Sequence, residues 1–259
     1  MQPSVQLFSV FHQPFIIPSA PFVQPIQAGK AIAKVDLGLP GDNTGDHISE
    51  KNSTYSELTV LYWIWKNADR NLFTHWGLVH YRRYFCADVF PGNFTNKRIY
   101  HYEATQESLD KVVSSGLQKN LAQSLQENNL VMPKLMYSYR KKGITKSIAE
   151  HYKAIHIAEH WDVMIEVLKK HYPQYTESLH FFEGSKMSYF NMMIAPWPVW
   201  DEYLEWLFTI LFEVEKRIGK VEDPYQARVY GFLSERMINL FVYHKKYKVA
   251  YYPVAVFGQ

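Results

Sequence analysis

The sequence predicts an α/β fold, in which buried strands and amphipathic helices build one sheet with helices packed on it. Two observations carry this prediction. Val5–Phe11 and residues 76–80 are apolar runs of strand length, and polar or cationic residues follow each at once. Residues 147–171 and 201–217 carry apolar side chains at helical spacing. In an open α/β sheet, ligands bind at the carboxyl ends of the strands, so we expect the functional site there.

The composition excludes several classes of protein. With 259 residues, 47% hydrophobic and 16% aromatic, the chain can bury a large core, and we expect one domain over residues 1–259. A net charge of +3 is too small to favour a nucleic-acid partner. The single cysteine, Cys86, suits a reducing cytoplasm. The first cation is Lys30 and no run of about 18 apolar residues occurs, so we expect neither a secretory signal nor a membrane-spanning helix.

The first strand ends at His12, where a ligand would bind. Residues 14–40 are rich in proline, so we expect them to be mostly irregular or short extended pieces. A polar loop over residues 41–52 follows, and its glycines and Asx residues predict turns that bring side chains close to a ligand. Its candidate ligand contacts are Asp42, Asp46, Ser49, Lys51 and Asn52, and Asp42 and Asp46 could also be ordinary turn residues.

A helix is predicted to begin near Ser53, because Thr54 and Glu57 have the spacing of a capping box. It is apolar on nearly all sides, which places it inside the domain. Glu57 is therefore either a helix cap or a ligand contact.

The strand over residues 76–80 ends in His80, Tyr81, Arg82 and Arg83. Two adjacent arginines at a strand end indicate an anionic ligand, most simply a phosphate or pyrophosphate. Because successive side chains of a strand point to opposite faces, we expect at most one of the two arginines to reach the same ligand.

The second half of the chain predicts a loop over residues 86–104, a helical region over 108–127, a short strand over 130–132 and an exposed basic loop over 140–143. That basic loop indicates a solvated face or, alternatively, contact with phosphate or a membrane surface.

The predicted helix over residues 147–171 contains His156, Glu159 and His160, which match the H-x-x-E-H pattern of some zinc proteases. The pattern is short and the chain has 11 histidines, so an ordinary surface helix is the preferred interpretation.

A polar turn over residues 181–188 includes Glu183 and leads into a predicted strand over 189–195. Asn191 interrupts this apolar strand, so it either braces a neighbouring loop or binds a ligand hydroxyl. The last helix is predicted to start at Pro224, and it is followed by a strand over 249–257. It aligns Arg228, Gly231, Glu235 and Asn239 beside an apolar stripe.

Four segments carry a resemblance to a known family: GDNTGDHISEKNSTYSELTVLYWIWKN, GLVHYRRYF, YFNMMIAPWPVWDEYLEWLFTILFEVEKRI and YQARVYGFLSERMINLF. They resemble bacterial capsular and exopolysaccharide synthesis proteins, long catalogued as a domain of unknown function and now regarded as sugar-nucleotide-dependent glycosyltransferases, including galactofuranosyltransferases. The resemblance implies a glycosyltransferase A-type, Rossmann-like fold with a mixed central sheet. It also implies sugar transfer from a UDP-sugar, with UDP-galactofuranose as the candidate donor, to a lipid-linked or oligosaccharide acceptor of a capsular, exopolysaccharide or O-antigen glycan. Such an enzyme would be cytoplasmic, with peripheral contact at the inner membrane surface as an option.

The sequence departs from the pattern of these glycosyltransferases in its residues for metal binding. Many glycosyltransferases of this fold bind a divalent cation through an Asp-x-Asp motif, whereas this strand end carries His80, Arg82 and Arg83. Arginines can neutralise a diphosphate, so we expect transfer without a required cofactor. Mn²⁺ or Mg²⁺ remains an option, because Asp42 and Asp46 offer oxygen ligands.

Inverting transfer needs a base for the acceptor hydroxyl, and Glu235 is the first candidate and Glu183 the second. The alternative for Glu235 is a structural ion pair with Arg228 or Arg236. Asn191 and Arg228 are candidate acceptor contacts. Two other classes stay open: a non-catalytic carbohydrate-binding protein and a zinc hydrolase that uses His156, Glu159 and His160.

Overall fold

The structure, a computed structural model, describes residues 3–87, 93–95 and 98–258. Its strands are β1 (Val5–Phe11), β2 (Val23–Gln27), β3 (His75–His80), β4 (Arg83–Phe85), β5 (Asn93–Thr95), β6 (Ile99–Tyr102), β7 (Leu130–Pro133), β8 (Met136–Tyr137), β9 (Tyr139–Lys141), β10 (Ile144–Lys146), β11 (Lys186–Met187), β12 (Ile194–Pro196), β13 (Val249–Tyr252) and β14 (Val254–Phe257). Its α-helices are α1 (Asn52–Tyr55), α2 (Leu58–Asn67), α3 (Gln106–Val112), α4 (Ser115–Glu127), α5 (Ile148–Ile155), α6 (Ala158–His171), α7 (Trp197–Ile218) and α8 (Val229–His244).

The central sheet is mixed, as expected. β1 runs parallel to β2 on one side and to β3 on the other, and β3 pairs antiparallel with β12 near its start and with β4 at its end. The sheet continues from β12 through β7 to β13, and from β4 through β14 to β6 and β5. Because β1 and β3 are parallel with Val10 opposite His80, their carboxyl ends lie side by side.

Two apolar cores cover the two faces of the sheet. Alternate residues of β1 belong to different cores, with Phe8 and Val10 in one and Val5 and Leu7 in the other. The first core packs against α2 and helices α5 to α8, and the second packs against α3 and α4. The alternation is what a strand buried on both faces requires.

The proline-rich stretch contains a short extended piece, as expected: β2 (Val23–Gln27) pairs with β1. Other predicted elements differ from those observed. The described part of residues 86–104, expected to be a loop, contains β5 and β6, and residues 88–92, 96 and 97 lie outside the described residues. The predicted strand over residues 189–195 is wrong in its first half, because Phe190 and Asn191 adopt φ angles of 78° and 52° and form a turn.

Two predicted helices are interrupted. The helix near Ser53 is split at Ser56, whose φ of 52° separates α1 from α2, so the capping box of Thr54 and Glu57 is not formed. The helix over residues 147–171 is split at His156, which is extended with φ −127° and ψ 178°. Within the described residues, no helix is both long enough and apolar enough to cross a bilayer.

Candidate active site

A cavity of about 660 Å³ opens at the carboxyl ends of β1 and β3. Ten of the predicted site residues line it: His12, Asn52, Glu57, His80, Tyr81, Arg82, Arg83, Asn191, Arg228 and Glu235. They come from the β1 end, the α1–α2 break, the β3–β4 turn, the turn before β12 and the start of α8. The expected position at the strand ends is therefore where the structure brings these residues together.

One side of the cavity is cationic. Arg82, Arg83 and Arg228 line it, and none of them forms an ion pair among the described residues. The Nε of Arg82 is buried without a hydrogen-bond partner, and Arg228 donates from Nε to the hydroxyl of Ser56 at 3.2 Å. A buried donor without a partner is rare in folded proteins, so this side of the cavity is suited to an anionic ligand.

Both arginines of the β3–β4 connection line the cavity, although the alternation of side chains in a strand predicts that one of them points away. Tyr81 and Arg82 form a tight turn in which His80 pairs with Arg83, so the alternation of a continuous strand does not apply. Burial and the neighbouring Arg82 lower the pKa of Arg83, whose guanidinium lies 5.1 Å from the ring centroid of Phe190.

The two histidines of the cavity favour the neutral state. Burial is the largest cause that lowers the pKa of His12 and of His80, and the nearby arginines lower both further. Nε2 of His80 lies 2.6 Å from the carbonyl oxygen of Phe190. A carbonyl only accepts, so Nε2 carries the proton of the neutral ring and donates, which leaves Nδ1 as an acceptor.

Glu57 is one of two carboxylates at the cavity. Its Oε1 accepts a 2.6 Å hydrogen bond from Nδ2 of Asn191, and Oε2 has no hydrogen-bond partner among the described residues. Asn191 also donates to the carbonyl of Gly231 and accepts from Ser234. Of the two roles that the sequence left open for Asn191, the structure therefore shows the bracing role.

Glu235 is the second carboxylate, with a side chain 19% exposed. Oε1 accepts from the backbone N–H of Phe190 at 2.8 Å, and Oε2 accepts from Nη1 of Arg236 at 2.8 Å. Arg236 is 3% exposed, so the structural ion pair considered from the sequence is formed with Arg236. Burial raises the pKa of Glu235 and Glu57 raises it further, whereas Arg236, the Phe190 N–H and Arg83 act in the opposite direction.

Strained backbone is concentrated at this cavity. Ser56, Phe190 and Asn191 all have positive φ angles, and all three line the cavity. Asn52 supports the break at Ser56, because its Nδ2 donates to the Ser56 carbonyl at 2.8 Å. Positive φ costs a non-glycine residue about 1–2 kcal/mol, and such strain is typical of functional sites.

Five predicted site residues do not line the cavity. Asp42 is fully buried and accepts hydrogen bonds from the backbone of Gly29 and Lys30 and from the hydroxyls of Ser49 and Thr59, so it joins the polar loop to α2. Ser49 is buried in the same network.

The other three lie at the surface or in surface contacts. Lys51 forms an ion pair with Glu215 at 2.7 Å. Asp46 is exposed and accepts from the hydroxyl of Tyr62. Glu183 is exposed at the end of a 3-10 helix, Pro173–Glu183. Sequence composition alone could not separate these structural roles from ligand contacts.

Phe190, Phe232, Ser53 and Ser56 line the cavity and were not predicted as site residues. Their sequence signal is weak, because aromatic and hydroxyl side chains are common in cores and turns. Gly231 lies at the cavity as its position suggested, but a Cβ there would be 3.5 Å from Ser56, so no close contact requires glycine.

The zinc hypothesis does not fit the structure. His156 lies outside both helices, contacts Oε1 of Gln226 at 3.2 Å through Nδ1, and stacks on Phe232 with centroids 4.0 Å apart. His160 is buried in α6. In the described part of the chain, no three His, Cys, Asp or Glu residues are grouped as metal ligands.

The side chains at the end of β3 are not the ligands that a divalent cation prefers, and the carboxylates at the cavity are those of Glu57 and Glu235. Mg²⁺ and Mn²⁺ prefer carboxylate oxygens, and this strand end presents an imidazole and guanidinium groups. Asp42 and Asp46, the oxygen ligands considered from the sequence, do not line the cavity.

The chain belongs to the family described as "Domain of unknown function (DUF4422)", whose model matches residues 6–246. It is also similar to the apo structure of the WbbM bifunctional glycosyltransferase, with 26% identity and a TM-score of 0.88 over 99% of this chain. The chain spans 46% of that protein, less than half of its length. A comparison with curated proteins found no match. The predicted mixed α/β fold of a glycosyltransferase is thereby confirmed.

Proposed function

We propose that the chain is a glycosyltransferase that transfers a sugar from a UDP-sugar to a glycan hydroxyl with inversion. The observation that carries the proposal is the cavity itself: three arginines, which form no ion pair among the described residues, and two glutamates line it together at the carboxyl ends of β1 and β3. The similarity to a bifunctional glycosyltransferase over 99% of the chain supports the same reaction class. Galactofuranose as the donor sugar rests on the sequence resemblance.

The donor diphosphate is assigned to the cationic side of the cavity. Arg82, Arg83 and Arg228 would neutralise its charge, and the buried Nε of Arg82 would gain the acceptor that it lacks. Guanidinium groups match phosphate oxygens in geometry and stay charged, so they stabilise the leaving diphosphate without a metal. His12 and Asn52 also line the cavity and would extend the proposed donor site towards the end of β1 and the start of α1.

Transfer with inversion requires a base on the acceptor side. The acceptor hydroxyl attacks the anomeric carbon, its proton passes to a carboxylate, and the bond to UDP breaks with its electron pair on the diphosphate oxygen. We assign the base to Glu235, because its raised pKa makes its carboxylate a stronger base than an exposed glutamate. Glu57, among the cations and bound to Asn191, is assigned a positioning role.

The rigid turn at Phe190 connects these groups. His80 donates to the carbonyl of Phe190 and Glu235 accepts from its N–H, so these two residues hold the peptide groups on either side of Phe190. A site held from both sides needs little reorganisation when substrates bind, which is the arrangement that favours electrostatic stabilisation of a transition state.

A release assay tests this proposal. The chain is incubated with a panel of UDP-sugars, with and without oligosaccharide acceptors, and free UDP is measured. We expect one donor to release UDP faster when acceptor is present. Carbohydrate binding without UDP release from any donor would instead support a non-catalytic binding protein. Hydrolysis that depends on added zinc would support the metal-hydrolase alternative.

A further inference from the structure

A cluster of unpaired cations lies on the hairpin of β9 and β10, residues 139–146, called here the basic hairpin. It carries Arg140, Lys141, Lys142 and Lys146, and Lys186 of β11 lies close to it. Arg140 and Lys186 both lie over the ring of Tyr137, at 4.9 and 4.8 Å from its centroid. Like charges so concentrated repel one another and lower the stability of the fold.

These five cations form no ion pair within the described residues. Lys111, Lys216 and Lys220, by contrast, each pair with a neighbouring glutamate on the surface. The acidic group that interacts with the basic hairpin is Glu150, which caps α5 through Ser147, and Lys146 contributes only a minor part to lowering its pKa. The positive charge of the basic hairpin is therefore open to an external anion.

An exposed apolar side chain lies among these cations. Ile144 is 64% exposed and lies opposite Lys141 across the hairpin, and Lys146 follows it on the same face. The turn residues Lys142 and Gly143 have φ angles of 47° and 82°, a conformation that favours Asn or Gly at both positions. Lysine at such a position costs conformational energy, so local folding does not explain the charge at the tip.

Cations around an exposed isoleucine match the surface of an anionic bilayer. Lipid phosphates attract the cations, and the apolar side chain enters the boundary between headgroups and acyl chains. A discrete phosphate ligand would need the cations but not the exposed isoleucine. We propose that the basic hairpin docks the protein on an anionic lipid bilayer.

The basic hairpin is connected to the cavity through β8 and β11. β8 pairs with β11, and the chain runs from β11 through Tyr189 directly to Phe190, which lines the cavity. The hydroxyl of Tyr189 contacts the carbonyl of Tyr137, beneath the cation cluster. Docking would thus place the acceptor side of the cavity near the membrane, where a lipid-borne acceptor lies. The docking itself does not depend on the proposed reaction.

Vesicle sedimentation tests the proposal with phosphatidylcholine vesicles and with mixed phosphatidylcholine–phosphatidylglycerol vesicles. We expect binding to the mixed vesicles alone, and binding that weakens as salt is raised. Each cation contributes about fivefold to partition onto an anionic surface, so the triple variant R140Q/K141Q/K142Q should bind on the order of 100-fold more weakly. Ile144→Ser should weaken binding about tenfold without a change in charge.

The matched control neutralises the three paired lysines, K111Q/K216Q/K220Q, and should bind like the wild type. UDP release with a soluble acceptor should be unchanged in the hairpin variants, and the thermal midpoint of the triple variant should be no lower than that of the wild type, because fewer like charges repel one another. Membrane docking and the proposed activity are therefore tested separately. Three results would overturn the proposal: wild-type binding to neutral vesicles as strong as to anionic ones, full binding by the hairpin triple variant, or displacement from the vesicles by inorganic pyrophosphate at constant ionic strength. The last would indicate a discrete phosphate site.

Discussion

Nδ2 of Asn191 donates a 2.6 Å hydrogen bond to Oε1 of Glu57, and this contact joins two strained segments of the chain. Glu57 follows Ser56, whose φ is 52°. Asn191 has a φ of 52° and follows Phe190, whose φ is 78°. Strain of this kind persists only where surrounding contacts enforce it. The bond therefore fixes the position of one cavity carboxylate relative to the turn that contacts the other.

Asn191→Gly and Asn191→Ala test this brace. Both variants lose the bonds to Glu57, the Gly231 carbonyl and Ser234, so we expect the free energy of unfolding to fall by about 2 kcal/mol in the glycine variant. The free energy of unfolding should fall by roughly 1 kcal/mol more in the alanine variant, because a positive φ is strained for alanine and not for glycine. Urea denaturation measures both. Equal stability of the two variants would show that position 191 does not need the left-handed conformation.

The donor site can be tested with UDP alone. Arg82→Ala, Arg83→Ala and Arg228→Ala should each weaken UDP binding about 10- to 100-fold in calorimetry, because each removes a charge-assisted contact in a partly desolvated site. Lys51→Ala is the matched control, since Lys51 pairs with Glu215 and does not line the cavity. A loss in the Lys51 variant equal to that in the arginine variants would place the donor on the polar loop instead.

The position of the site could be predicted from sequence because it depends on strand ends. An apolar run that stops at His12 and another that stops at His80 mark the carboxyl edge of the sheet whatever the exact topology. The residues that follow these runs, including Arg82 and Arg83, line the cavity.

The strained connections could not be predicted in the same way. Ser56 and His156 interrupt apolar patterns that continue at helical spacing on both sides, so periodicity shows no break. The positive φ of Ser56 is supported by a distant contact, from Arg228 to its hydroxyl, and by a local one, from Asn52 to its carbonyl. Asp42 likewise has the sequence signature of a turn residue, and only the three-dimensional fold shows that it is a buried acceptor for four donors.

Metal dependence is the next prediction. If the arginines neutralise the diphosphate, UDP release should be unaffected by EDTA, and added Mn²⁺ or Mg²⁺ should change the rate less than twofold. A parallel assay with an EDTA-sensitive glycosyltransferase provides the control for chelation. Loss of activity in EDTA that Mn²⁺ restores would contradict this prediction.

The acid limb of the pH–rate profile tests the assignment of Glu235. A base must be ionised, so the rate should fall as pH drops through the pKa of Glu235, and burial places that limb above the ordinary glutamate value of 4.5. Glu57→Gln removes a negative charge that raises this pKa but keeps an oxygen to accept the bond from Asn191. The limb should therefore move to lower pH in Glu57→Gln, because ionised Glu235 is then repelled less. A limb that stays in place would contradict the coupling of the two carboxylates.

Glu235→Gln separates catalysis from structure. Glutamine can still accept from the N–H of Phe190, but it leaves the charge of buried Arg236 without a partner. We expect the transfer rate to fall about 10²- to 10⁴-fold with UDP affinity retained, and the acid limb to disappear. Stability should also fall by a few kcal/mol, which corresponds to about 2–4 °C in thermal midpoint per kcal/mol, so rates are compared well below the midpoint of the variant.

Glu183→Gln is the control, because Glu183 is exposed and lies outside the cavity. It should change neither the transfer rate nor the thermal midpoint. If the folded Glu235→Gln variant transferred sugar at nearly the wild-type rate, Glu235 would only position Arg236 and Phe190. The candidate base would then be Glu57, whose Oε2 has no hydrogen-bond partner among the described residues.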